Sequence, residues 1–204
     1  EGDQEQIQAL DQSDLDNTTK ETVVKANFVY TLDPGLAVVI RPADCPITVL
    51  YAKTKDGKDL AGLIHSAGVS VNAGIPRMAI DHLINVEDVD NSSLRIGITP
   101  GISREHYSIN DEITSARTTF PINERNWGKH IDEKKSDDPK ERRHVDVLRA
   151  TIMQYIEAGI NPDQVESYGV DTYEGHDIGV GFSHRYFQEN QEAGVNPGRY
   201  MVAV

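Results

Sequence analysis

Cys45 is the only cysteine in 204 residues, and it sits in Arg41-Pro42-Ala43-Asp44-Cys45-Pro46. A thiolate can ligate zinc, or it can attack an electrophile once a base has taken its proton. His65 is the candidate partner for either role. With further ligands from elsewhere the pair could hold a metal; alone, the imidazole could activate the thiol. The plainer reading is a buried cysteine near a hydrogen-bonded histidine. A second group is Phe182-Ser183-His184-Arg185, which follows Gly179-Val180-Gly181. An arginine at a strand end suits a phosphate or a nucleobase edge, whereas its ordinary role is a surface ion pair. His106 and Tyr107 close a loop that begins at Pro100 and could line a pocket. His144 and Asp146 open a long helix, where Asp suits the positive end of the dipole and capping is the default role. His82 reads as structural, and His130 and His176 fall in polar loops. There is no Walker loop, no Gly-x-Ser-x-Gly elbow and no His-Glu-x-x-His, which argues against a nucleoside triphosphatase, an α/β-hydrolase and a zincin.

A hairpin is what would bring Cys45 to His65. Ile47 to Ala52 reads as a strand leaving the cysteine, and Leu60 to Ile64 reads as its partner, ending at His65. Lys55-Asp56-Gly57-Lys58 joins them, because Asp-Gly tolerates positive φ. In an antiparallel hairpin the start of one strand lies beside the end of the other, so the two side chains share one end of the pair. Around this unit, Phe28 to Leu32 reads as a strand. Leu36 to Ile40 is an apolar run of the kind buried on both faces. A stretch of small residues from Ser66 to Gly74 leads into a helix from about Ile75 to Ile84, and Leu94 to Ile98 reads as a strand. Val145 to Ala158 is an amphipathic helix with Val147, Leu148, Ile152, Tyr155 and Ile156 on its apolar face, stopped by Gly159. Val165 to Val170, Ile178 to Phe182 and Tyr200 to Val204 are further strand candidates. The expected class is α+β in a single domain over 1–204. Residues 1–25 are a polar lead-in or edge element, and 132–143 is a solvated, mobile loop.

Composition sets outer bounds. The formal charge of −13 and pI near 4.9 argue against nucleic acid and membrane surfaces as partners, but not against a small anion held locally. A lone cysteine forbids an internal disulfide and favours a reducing, cytoplasmic setting. No apolar run approaches the roughly 18 residues of a membrane span.

The order of the motifs resembles the bacterial laccase-domain family, whose members are labelled polyphenol oxidase or purine nucleoside phosphorylase. The matching segments run through Ala26-Asn27-Phe28-Val29-Tyr30-Thr31, Ala43-Asp44-Cys45-Pro46 and His65-Ser66-Ala67-Gly68, then Gly97-Ile98-Thr99-Pro100-Gly101-Ile102-Ser103 with Tyr107. They end with His144-Val145-Asp146-Val147, Glu157-Ala158-Gly159-Ile160 and Phe182-Ser183-His184-Arg185 followed by Gly198-Arg199. The resemblance covers about residues 26–204. It implies an α/β/β/α sandwich with mixed, largely antiparallel sheets. It also implies a purine nucleoside phosphorylase that uses zinc, with adenosine deamination as a companion activity. On that reading Cys45 and His65 are metal ligands, and with Arg185 they are the catalytic residues. Arg41, Tyr107 and Ser183 then contact substrate or phosphate. The expected partners are a purine nucleoside and phosphate, with a homodimer left open.

Three departures stand out. The family's third zinc ligand is a histidine upstream of the cysteine motif, and Gln8 takes that position here; a neutral amide is a poor zinc ligand. Gly68 and Val69 replace a Trp-Arg pair, and Asp171-Thr172 stands where the family has Cys-Thr. Two other readings therefore stay open: a metal-independent Cys–His hydrolase, and a catalytically degenerate homologue that serves as a binding or assembly protein. Copper-dependent phenol oxidation ranks last, because a multicopper centre needs many more clustered histidines.

Overall fold

The computed structural model describes residues 7–16, 19, 21–110, 112–115, 118–136, 141–177, 181–190 and 198–204. β1 (Ile7–Leu10) and β2 (Phe28–Thr31) precede a two-residue β3 (Val39–Ile40). β4 (Ile47–Lys53) and β5 (Asp59–His65) form the expected hairpin. Gly57 supplies its turn with a φ of 88°, a conformation that costs glycine little and other residues more. α1 (Gly68–Ala73) ends at Gly74, whose φ of 82° breaks the helix before α2 (Ile75–Asn85) begins. There follow β6 (Arg95–Ile98), β7 (Ser108–Ile109), β8 (Glu112–Ser115), β9 (Thr118–Pro121), α3 (Glu124–Trp127), β10 (Arg143–His144) and α4 (Val147–Glu157). β11 (Val165–Ser167), α5 (Thr172–Asp177), α6 (His184–Asn190) and β12 (Val202–Ala203) complete the chain.

The fold is α+β. The main sheet runs β1-β2-β5-β4-β6-β11. Its outer pairs, β1–β2 and β6–β11, are parallel, and the three inner pairs are antiparallel. Strand alternation sorts the side chains between two faces. Phe28, Tyr30, Leu50, Ala52, Leu60, Ile64, Ile96 and Ile98 point to one face, where Ile75, Ala79, Ile80 and Leu83 of α2 and Tyr155 of α4 cover them. The Tyr155 hydroxyl donates to Thr48 Oγ1 at 2.7 Å, so its buried oxygen is satisfied. Val29, Ile47 and Leu63 point to the other face and pack with Val38, Ile40, Val202 and Val204 from the small β3–β12 pair. Helices, large sheet and small β layer therefore stack in that order. A satellite core of Val71, Trp127, Val145, Val147 and Ala150 lies where α1, α3 and α4 meet. No helix among the described residues is long and apolar enough to cross a membrane.

Several local expectations change. The run Leu36 to Ile40 is not a strand buried on both faces. Only Val39–Ile40 pairs, with β12, and Val39 is exposed because β3 is an edge. Helix begins earlier than the small-residue stretch suggests, as α1. The charge run ends differently too, because Arg143 is only 3% exposed and its Nη1 donates to Glu124 Oε1 at 2.7 Å. β10 carries it inward by pairing with β7. Within the proposed 132–143 loop, residues 137–140 lie outside the described residues. So do 178–180 of the candidate strand Ile178 to Phe182. Arg185 is in the first turn of α6, not at a strand end.

Candidate active site

The hairpin register pairs Ile47 with His65, and the Ser66 amide donates to the Pro46 carbonyl at 3.1 Å. Cys45, two residues before Ile47, and His65 therefore stand at the same open end of the hairpin. His65 continues the face marked by Leu63, towards the small β layer. Gln8 is on that face as well, in β1, level with Val29 and Leu63. It lies two strands from β5, about 10 Å by the usual strand spacing. Among the described residues no hydrogen bond joins Cys45 to His65, and no third Cys, His, Asp or Glu completes a ligand cluster with them.

Burial governs both groups. It pushes the Cys45 thiol up to about 12; the adjacent Asp44 carboxylate adds to the effect and Arg199 opposes it. Burial also lowers the His65 imidazole below its usual range, and the Arg199 guanidinium lowers it further. At neutral pH the pair is a thiol and a neutral imidazole. That is not the thiolate–imidazolium pair a cysteine nucleophile requires, so the hydrolase reading loses its chemistry. Zinc fares no better here, because a structural or catalytic site takes three or four protein ligands and this one offers two.

Around the pair the Asp44 carboxylate is set against basic groups. Arg199 acts on both groups, and its Nη1 donates to the Arg41 carbonyl at 3.2 Å. The Arg185 guanidinium stands 5.8 Å from the centre of the Tyr107 ring, within range for a cation–π contact. Chiefly through burial the Tyr107 phenol is raised to about 12, an ionised Cys45 adding to the rise and Arg185 and Arg142 opposing it. Tyr200 donates its hydroxyl to the Pro100 carbonyl at 2.8 Å, which fixes the loop after β6 over Cys45. Asp44 joins the parts. Its Oδ1 accepts from Thr172 Oγ1 at 2.9 Å, and its Oδ2 accepts from the Arg185 amide at 2.8 Å. Ser183 is buried, and its hydroxyl accepts from the Tyr186 amide at 3.0 Å as the cap of α6. Arg41 is exposed.

Beside this cluster, His106 Nδ1 and Asp171 Oδ2 are 2.6 Å apart. Ser103 Oγ approaches the same nitrogen at 3.3 Å. A nucleophilic triad needs its serine and its acid on opposite ring nitrogens, so these three do not form one.

The structure thus gathers Cys45, His65, Tyr107 and Arg185 about one end of the sheet, and leaves Gln8 apart. Arg199, Asp44, Tyr200 and Asp171 join the neighbourhood although no role was assigned to them from spacing, and His106, expected only to line a pocket, is paired with Asp171. Arg199 and Asp44 lie inside quoted motifs, but nothing in a motif reports which charge faces which. The pairing of His106 with Asp171 spans 65 residues and leaves no mark in the sequence.

Comparison with curated proteins finds no match. Crystal structures that share the fold include the following two. The hypothetical protein YfiH of Bacillus licheniformis is 20% identical, with a TM-score of 0.74. YlmD of Geobacillus stearothermophilus is 19% identical, with a TM-score of 0.67. In each case the likeness covers 97% of this chain and 68% of the other. The family model described as "Multi-copper polyphenol oxidoreductase laccase" matches residues 4–204, which takes in the main sheet, the hairpin and every residue of the site, and the chain belongs to that family.

Proposed function

We propose that the Cys45–His65 site binds a purine nucleoside together with phosphate and cleaves the glycosidic bond by phosphorolysis. The observation that carries this is the position of Arg199, whose Nη1 donates to the Arg41 carbonyl at 3.2 Å in the cysteine motif, near enough for its charge to act on Cys45 and His65. A guanidinium there can hold a phosphate oxygen bidentately, and Arg185 beside Tyr107 supplies a second cationic group. The motif resemblance supports the choice of a purine nucleoside. In the reaction a phosphate oxygen forms a bond to the sugar C1′ as the C1′–N bond breaks, and the electron pair leaves with the base. The proton of hydrogen phosphate ends on that base. His65, neutral at pH 7, can relay it. Cys45 stays a protonated thiol and takes no part as a nucleophile. Deamination needs an activated water, and nothing at this pair activates one, so it ranks below phosphorolysis.

The test is incubation of metal-stripped protein with inosine or adenosine and phosphate. Release of free base with ribose 1-phosphate, lost in Arg199→Ala and His65→Asn, is the expected result. The missing third ligand favours one other reading, a catalytically silent homologue kept for binding. Nucleoside binding without release of base, with or without added zinc, would establish that reading and end the first.

A further inference from the structure

We propose that His106, Asp171 and Glu174 form a site for one divalent first-row metal ion, distinct from the Cys45–His65 pair and independent of the proposed phosphorolysis. One imidazole nitrogen and two carboxylate oxygens from these residues all lie within 4.8 Å of one another. With bonds of about 2.1 Å, two ligands of a tetrahedral ion stand about 3.4 Å apart, so the widest pair has to close by at most about 1.4 Å. Glu174 is exposed and its side chain can supply that shift.

The positions are fixed before any ion arrives. His106 is stacked on Tyr173, with ring centres 4.0 Å apart and planes within 10°. Nδ1 already faces Asp171 Oδ2 at 2.6 Å, where a cation would replace the proton they share. Asp171 Oδ1 accepts the amides of Ser103 at 3.1 Å and Tyr173 at 2.9 Å, which hold the carboxylate in place. The two segments are also tied by the Thr172 amide, which donates to the Gly101 carbonyl at 3.1 Å.

Charge favours the same occupant. Among the described residues no Lys or Arg forms an ion pair with Asp171 or Glu174, and the Glu105 carboxylate lies close enough to Asp171 to feel its charge. An imidazole with two carboxylates suits zinc or manganese better than magnesium or calcium, which prefer all-oxygen sets.

Zinc titration of metal-stripped protein, followed by equilibrium dialysis, tests the site in a Cys45→Ala background. One equivalent should still bind there. His106→Ala should abolish it, and Glu174→Gln, an exposed change that leaves the fold intact, should weaken it about tenfold. Cobalt in place of zinc should give visible d–d bands without a thiolate charge-transfer band. Loss of the bound zinc in Cys45→Ala, or parental affinity in both His106→Ala and Glu174→Gln, would overturn the assignment.

Discussion

Asp44 and Arg185 are 141 residues apart, and a 2.8 Å hydrogen bond joins the Arg185 amide to the Asp44 carboxylate. The other carboxylate oxygen holds the Thr172 hydroxyl. One side chain next to Cys45 therefore docks the starts of both α5 and α6 against the hairpin. Asp44→Asn replaces one acceptor with an N–H that faces a donor. The expected cost is about 1–3 kcal/mol, read from urea unfolding. Because the Asp44 charge helps raise the Cys45 thiol, the same variant should lower the pH at which Cys45 becomes reactive. A purely local loss of packing would leave that pH unmoved.

Cys45 itself should resist alkylation. Its thiol is raised from an ordinary 9.0 to about 12, which at a given pH below both values leaves about a thousandfold less thiolate. Iodoacetamide at about pH 8 should label the native protein at least a hundredfold more slowly than the urea-unfolded chain. The shift also has a stability consequence. A thiol whose folded pKa is raised contributes stability that is intact below the unfolded value of 9.0 and is lost as pH climbs towards 12. Equal labelling rates in the two states would mean that the sulfur is not shut away.

His65 works in the opposite pH range. Its folded pKa is lowered, chiefly by burial and then by Arg199. Its contribution to stability is therefore present above the unfolded value of 6.5 and is lost as pH falls through the folded value. The urea midpoint of the parent should decline as pH drops below 6.5. In His65→Gln, which cannot take up a proton, the decline over the first unit below 6.5 should be shallower. Parallel curves for the two proteins would show that other groups set the acid limit.

These contrasts mark what local chemistry encodes. The Asp56-Gly57 turn and the strand lengths on either side were enough to put Cys45 and His65 at one end of a hairpin, because register follows from turn geometry. The helix at α4, with Asp146 accepting from the Arg149 amide at 2.9 Å as its cap, was legible for the same reason. Edge and interior were not. Leu36 to Ile40 reads like a central strand, yet its neighbour is a two-residue strand from the far end of the chain. Arg143 ends a charge run but is buried against Glu124. In both cases the deciding partner is distant in sequence, and an apolar or charged run cannot name it. The site follows the same division. Its hairpin was legible, whereas the reach of Arg199 depends on the C-terminal segment docking beside Arg41, and the pairing of His106 with Asp171 arises only when the loops after β6 and β11 are folded together.

Those loops meet at Gly101, which gives the last prediction. An added Cβ there would stand 2.8 Å from Pro46 Cδ and 3.0 Å from Pro46 Cβ. The pyrrolidine ring cannot rotate away, because its φ is locked, and Pro46 opens the strand that carries the site. Gly101 has no positive φ, so alanine is allowed by the backbone and the cost is steric alone. Gly101→Ala should destabilise the protein by about 1–3 kcal/mol. It should also push the loop away from the hairpin, which would loosen the Tyr200 bond to Pro100 above Cys45 and the Thr172 bond to Gly101. Cys45 should then alkylate faster in the native state than in the parent. Gly97→Ala, inside β6 just before that loop and with open space where its Cβ would lie, is the control and should change neither property. A Gly101→Ala protein as stable and as slowly labelled as Gly97→Ala would show that the loop and the proline can separate without disturbing the site.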